Sequence, residues 1–321
     1  MRRIPAIDDG LIFSGCMLTG AIISLIFSGV QTAMWSTFST LYAFLLFNAA
    51  KDYKNHFYTG FWLLVIVFSI YLGNILRLGD PFYLFLIIFS FIYYQIYGSD
   101  PVIDLSMKFI IIMSTIGTAI PNISIDLPIG FFIGSSITIF VCNYLSNKAH
   151  KKINFGNSQI EKNLFTLRKN ILPRSLIYVS GLLLTLYIPR LLDFGHFYWT
   201  LLTFVFVLHP KSKSIILLTS QRVLGSILAV LCLYLLFNTP LMPYIGVISI
   251  LVFAFLYPMS GHKNYTFMTF ITTCLILSVI EQVEYWRHPA YILFFDRVLE
   301  TCLGGTIAIV TSICLKHYRT E

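Results

Sequence analysis

FYWTLLTFVFVLHPKSKSIILLTSQRVLGSILAV, residues 197–230, decides the class of fold. It reads as a short apolar arm, a His-Pro stop, a basic turn with Lys211 and Lys213, and a second apolar arm that runs on into LCLYLLF. Pro210 ends the first arm because it brings no backbone donor. Neither arm alternates polar and apolar residues as barrel strands do, so helices are expected. The second arm carries Arg222, followed by Gly225 and Ser226. A soluble core rarely needs an arginine inside such a run, and in a bilayer a charge at that depth needs a reason.

The rest of the chain is of the same kind. Its 321 residues are 57% hydrophobic, 16% aromatic and 11% charged, with a mean hydropathy of +0.80. Soluble domains carry about 25% charged residues, so the class is an all-α polytopic membrane protein. Twelve hydrophobic segments are expected, at about 10–30, 34–48, 57–78, 82–98, 105–120, 126–146, 174–189, 196–208, 213–237, 240–257, 264–281 and 290–315. Most have the length that spans a bilayer as helix, roughly 17–25 residues. Segments 34–48 and 196–208 are short for a full span.

Charge sets the orientation. The net charge of +8 does not point to nucleic acid, because no soluble folded domain holds the basic segments. Basic loops orient membrane proteins instead. With both termini in the cytoplasm, seventeen of the 22 Lys and Arg fall on the cytoplasmic side, and Arg77, Arg190 and Arg287 outside. The expected location is therefore a bacterial inner membrane, multi-pass, with no cleavable signal peptide.

The chain divides into an N-terminal six-helix repeat (1–147), a basic cytoplasmic linker (148–172) and a C-terminal six-helix repeat (173–321). AMWSTFSTLYAFLLFN at 33–48 aligns with FYWTLLTFVFVLHP at 197–210, Trp35 falling on Trp199, and a basic turn and a longer span follow each. Six spans per half makes the repeats parallel in topology, and such repeats place a site at their interface near the midplane. The linker's QIEKNLFTLRKN can form a short amphipathic helix on the membrane surface.

The candidate functional residues are the polar ones inside spans. Arg222 lies roughly 13 Å into its span at 1.5 Å per residue. Its guanidinium fork matches a carboxylate bidentately; the bland alternative is a structural arginine that snorkels. Asp296, Arg297 and Glu300 share one helix at spacings of three and four. Glu300, the deeper carboxylate, suits proton coupling, with Asp296 second; the alternative is an ion pair that only pins helices. Tyr198 and Trp199 are the aromatics best placed to form a ligand pocket. Gly225, Gly304, Gly305, Gly130 and Gly134 read as sites of close helix approach. His209 reads as a solvated interfacial histidine. The six cysteines read as small buried hydrophobes. No metal-ligand spacing, P-loop or nucleophile motif occurs, so no cofactor, metal or enzymatic activity is expected.

Tyr198, Trp199, Pro210, Arg222, Gly225 and Ser226, followed by Asn264-Tyr265, Arg297 and Gly304-Gly305-Thr306, resemble the core motifs of the fusaric acid resistance family, also called the aromatic acid exporters. The resemblance covers roughly residues 170–318 and is weaker over 1–150. It implies a secondary transporter that exports small organic anions such as aromatic carboxylic acids. Arg222 and Arg297 would attract the anion, with Trp199 and Tyr198 beside it. Glu300 or Asp296 would couple the flux to protons. Partners implied are the lipid bilayer, the anionic substrate, a homo-oligomer and a periplasmic adaptor. Family members typically carry a large cytoplasmic domain, whereas this sequence resembles a compact, membrane-only version. Two other classes stand beside this one: a passive anion channel, as in the distantly similar plant malate channels, and a membrane-embedded assembly or lipid-modifying protein.

Overall fold

The fold is known from a computed structural model that describes residues 5–50, 56–145, 171–210, 214–239, 242–261, 264–285 and 291–317. Those residues form twelve α-helices and no strand. They are α1 (Pro5–Phe27), α2 (Val30–Ala49), α3 (His56–Leu76), α4 (Asp80–Ile96), α5 (Pro101–Ala119), α6 (Asp126–Leu145), α7 (Leu172–Leu191), α8 (Tyr198–Val207), α9 (Ile215–Phe237), α10 (Met242–Ser260), α11 (Tyr265–Glu284) and α12 (Tyr291–His317). Eight of them, α1, α3, α5, α6, α7, α9, α11 and α12, are long and apolar enough to cross a membrane. The chain is a polytopic all-α membrane protein. The expected amphipathic helix of the linker lies outside the described residues.

Local chemistry sets the helix ends. Asp100 accepts from the amides of Val102 and Ile103 and caps α5, with Pro101 at the first helical position. Asn264 accepts from Phe267 N at 2.9 Å and caps α11. Gly29, at φ 102°, closes α1 by donating to Ser24 O, a conformation that favours glycine.

One helix differs from its expectation. The second segment is not short: α2 is a 20-residue helix. Hydropathy falls off where serine and threonine begin, but these hydroxyls need not stop a helix. Inside the expected segment they bond back within the helix, Thr37 Oγ1 to Ala33 O and Ser39 Oγ to Ser36 O, and in the added stretch 30–33 Thr32 Oγ1 donates to Asp126 Oδ1 on α6 at 2.9 Å. The eighth segment is short as expected, a ten-residue helix.

The chain falls into two compact units, and each draws on both ends of the sequence. Unit 1 comprises Met1–Asn48, Ser124–Ala149 and Gln221–Val298; unit 2 comprises Ala49–Ile123, His150–Ser220 and Leu299–Glu321. In unit 1, α1 packs on α6 and α10, α10 on α11, α2 on α6 and α9 on α11. In unit 2, α7 packs on α4 and α8, α4 on α5, α3 on α5, and α12 on α7 and α8. Small residues permit these contacts: a Cβ on Gly130 or Gly134 would run into the α2 backbone, and one on Gly73 or Gly117 would close the α3–α5 seam.

Candidate functional site

In unit 1 the functional chemistry gathers where α9 meets the start of α11. Gly225 brings the two helices together: a Cβ there would lie 2.6 Å from Thr266 O and 2.8 Å from Thr269 Cβ. One turn earlier on α9, Arg222 is 8% exposed and donates from Nη1 to Tyr265 Oη at 2.9 Å. Tyr265 is the first residue of α11. The two motif fragments, Arg222-x-x-Gly225 and Asn264-Tyr265, are therefore one structure. Because α9 begins at Ile215, Arg222 lies about 10 Å from its start at 1.5 Å per residue. A guanidinium, a phenol hydroxyl and the positive end of a helix dipole converge here, and all three favour an anion. Ser226 is fully buried beside them, and its hydroxyl has no hydrogen-bond partner among the described residues.

In unit 2 a second polar group surrounds the N-terminal end of α8. Trp199 is buried and stacks on the His196 ring, with centroids 4.8 Å apart and planes at 17°. Tyr198 is half-buried and meets Trp199 edge-on at 5.8 Å. Glu300, on α12, is 0% exposed, and its Oε1 accepts from His196 N at 3.1 Å. Gly304, one turn further along α12, sets this spacing, since a Cβ on it would meet Thr200 O and Thr203. Gly305 does the same toward Thr219. The structure thus joins Tyr198, Trp199 and Glu300 through His196, a residue that sequence reading passed over. Its only signal was a histidine two and three residues ahead of the aromatic pair.

Arg297 lies in the unit 1 part of α12 and is 5% exposed; Asp296 beside it is half-buried. Sequence reading also missed Glu281 on α11, which is 0% exposed. The signal was present as an acidic residue near the end of an apolar run. On insertion scales each charge in a bilayer interior costs about 3 kcal/mol. Arg222, Arg297, Glu281 and Glu300 together therefore rival the net stability of a whole domain, about 5–15 kcal/mol. Arg222, Glu281 and Arg297 belong to unit 1 and Glu300 to unit 2.

At the other end of α8, His209 does not stand alone in solvent. Its Nδ1 hydrogen-bonds Tyr97 Oη at 3.1 Å and the rings stack at 5.5 Å. Lys108 Nζ lies over the Tyr97 and Phe206 rings at 5.9 and 5.6 Å. Burial, assisted by the charge of Asp104, pushes the Tyr97 hydroxyl up to about 12.

The fold and these buried charges define a multi-pass membrane protein with ionic groups inside its spans. Within that class, residues 183–311 match the family described as fusaric acid resistance protein-like. The match takes in both polar groups, from Trp199 and Arg222 to Glu300 and Gly305. Comparison with curated proteins and with solved structures returned no match.

Proposed function

We infer that the protein is a secondary transporter that exports small organic anions, aromatic carboxylates among them, in exchange for protons. The observation that carries this reading is the buried Arg222–Tyr265 pair at the N-terminus of α11. A substrate carboxylate would take the Arg222 fork in place of the phenol oxygen, with two parallel charge-assisted bonds. Tyr265 and the first-turn amides of α11 would hold the remaining lone pairs. Arg297, buried on α12, would be a second cation on the anion's path rather than a member of the Arg222–Tyr265 pair.

Proton coupling falls to Glu300, with Asp296 as the second carboxylate. Glu300 is the tenth residue of α12 counted from Tyr291, roughly 15 Å along the helix. If the basic loops orient the chain, that end of α12 would face outward from a bacterial inner membrane, with both termini in the cytoplasm. His196, whose amide donates to Glu300, is half-buried. Once the anion has left outward, Glu300 would take a proton from the outer solution; carrying it inward and releasing it to the cytoplasm would restore the carboxylate for the next cycle.

The six-and-six repeat fits the packing within each unit. Advancing every helix of unit 1 by six places, cyclically, turns its pairs α1–α6, α1–α10, α10–α11, α2–α6 and α9–α11 into α7–α12, α7–α4, α4–α5, α8–α12 and α3–α5 of unit 2.

The test is pH-gradient-driven uptake of radiolabelled aromatic acids into inverted proteoliposomes, wild type beside Arg222→Ala and Glu300→Gln. Saturable, proton-dependent flux lost in both variants is expected. Flux that survives without a gradient and does not saturate would replace the transporter with a channel. The absence of flux for every acid tried would remove the substrate class.

A further inference from the structure

Unit 2 contains a cavity that none of this chemistry uses. It lies between the start of α9 and the end of α12 and has a volume of about 440 Å³, within the span of small-molecule pockets, about 300–1,000 Å³. Its polar lining is Ser214, Ser220, Ser312 and Lys316. The remaining wall is aliphatic, including Ile215, Leu217, Ile309 and Ile313. Ser312 is 8% exposed and makes no hydrogen bond to a described residue. The helical ladder of α9 opens with Leu218 N donating to Ser214 O, so the amides of the first turn have no partner within the helix.

We propose that this cavity binds the phosphate headgroup of an anionic phospholipid, with the first carbons of its acyl chains along the aliphatic wall. Position argues for a lipid: α9 and α12 are both membrane-crossing in length and character, and the cavity sits at an end of each, the level of headgroups. Charge argues for an anionic one. Lys316 provides the counter-charge within the cavity, Lys211, Lys213 and Arg319 flank it in sequence, and the first turn of α9 favours an anion. The walls argue against a soluble anion, which would gain nothing from five branched aliphatic side chains. The site is separate from Arg222 and Glu300 in its residues and does not depend on what the protein transports.

The experiment is native mass spectrometry of the full-length protein in detergent micelles doped with phosphatidylglycerol or phosphatidylcholine, with thermal unfolding in parallel. Phosphatidylglycerol is expected to remain bound and to raise the melting temperature, and phosphatidylcholine is not. Lys316→Ala, a change at an exposed side chain, should weaken retention about fivefold, the worth of one lysine near an anionic surface. Ser312→Leu should exclude the lipid by filling the cavity; if that variant does not fold, Lys316→Ala decides alone. Equal retention of the two lipids, or a Lys316→Ala protein that binds as wild type does, would overturn the proposal. Displacement of the lipid by millimolar inorganic phosphate would overturn it too, in favour of a soluble-anion site.

Discussion

Replacing Gly225 with alanine tests whether helix packing sets the geometry of the anion site. The new Cβ would lie 2.6 Å from Thr266 O and 2.8 Å from Thr269 Cβ. Carbon contacts are comfortable at about 3.5–4.0 Å, and a backbone oxygen cannot rotate away. The α9–α11 pair must therefore part by about 0.5–1 Å. That costs roughly 1–3 kcal/mol of stability as overpacking. It also stretches the Arg222 Nη1 to Tyr265 Oη bond from 2.9 Å to about 3.5 Å, where it no longer counts as a hydrogen bond. With the helices parted, Tyr265 would no longer reach a carboxylate held by Arg222; a hydrogen bond to a charged group contributes about 1.5–3 kcal/mol, or roughly 10- to 100-fold in affinity. The assay is calorimetric binding of benzoate as the simplest aromatic carboxylate, with melting temperature as the packing control. Tyr265→Phe should lower affinity by a similar factor. The double variant should lose little more than either single one, because both remove the same interaction. A lowered melting temperature with unchanged affinity would refute the coupling of Gly225 to the site. Unchanged values of both would refute the close-approach argument itself.

Other outcomes follow from the same geometry. His196→Ala should slow proton-driven flux several-fold while leaving benzoate binding intact, and added imidazole should restore part of the rate; an unrescued loss would mark His196 as structural. Gly304→Ala pushes a methyl into Thr200 O at the α8–α12 contact, so the melting temperature should fall by an amount equivalent to about 1–3 kcal/mol, and flux with it. Burial raises Tyr97 to about 12, above the phenol's usual value of about 10. The folded state therefore disfavours the phenolate, and stability that is whole below pH 10 should be lost as pH rises through 12. Tyr97→Phe should remove that alkaline component from a pH series of melting temperatures.

Hydropathy is a local property, so the sequence alone could determine the class of fold, the twelve helices of the described residues and the brevity of α8. It also pointed to Arg222, Arg297 and Glu300, because a charge in an apolar run is visible without coordinates. Glu281 was equally visible, at the boundary of the expected segment 264–281, and was passed over. The length of α2 was harder to read, since serine and threonine lower hydropathy while still bonding within a helix. The partners of these residues were not legible at all. Arg222 meets Tyr265, and Glu300 meets the amide of His196, across 43 and 104 residues of chain. Such meetings depend on which helices can approach closely. That choice rests on single glycines seated against distant backbones, Gly225 on Thr266, Gly304 on Thr200 and Gly130 on Thr32. Each half of the sequence therefore contributes to both compact units. A residue without a side chain carries no mark of the surface it will touch, so the grouping of helices was settled only by tertiary packing.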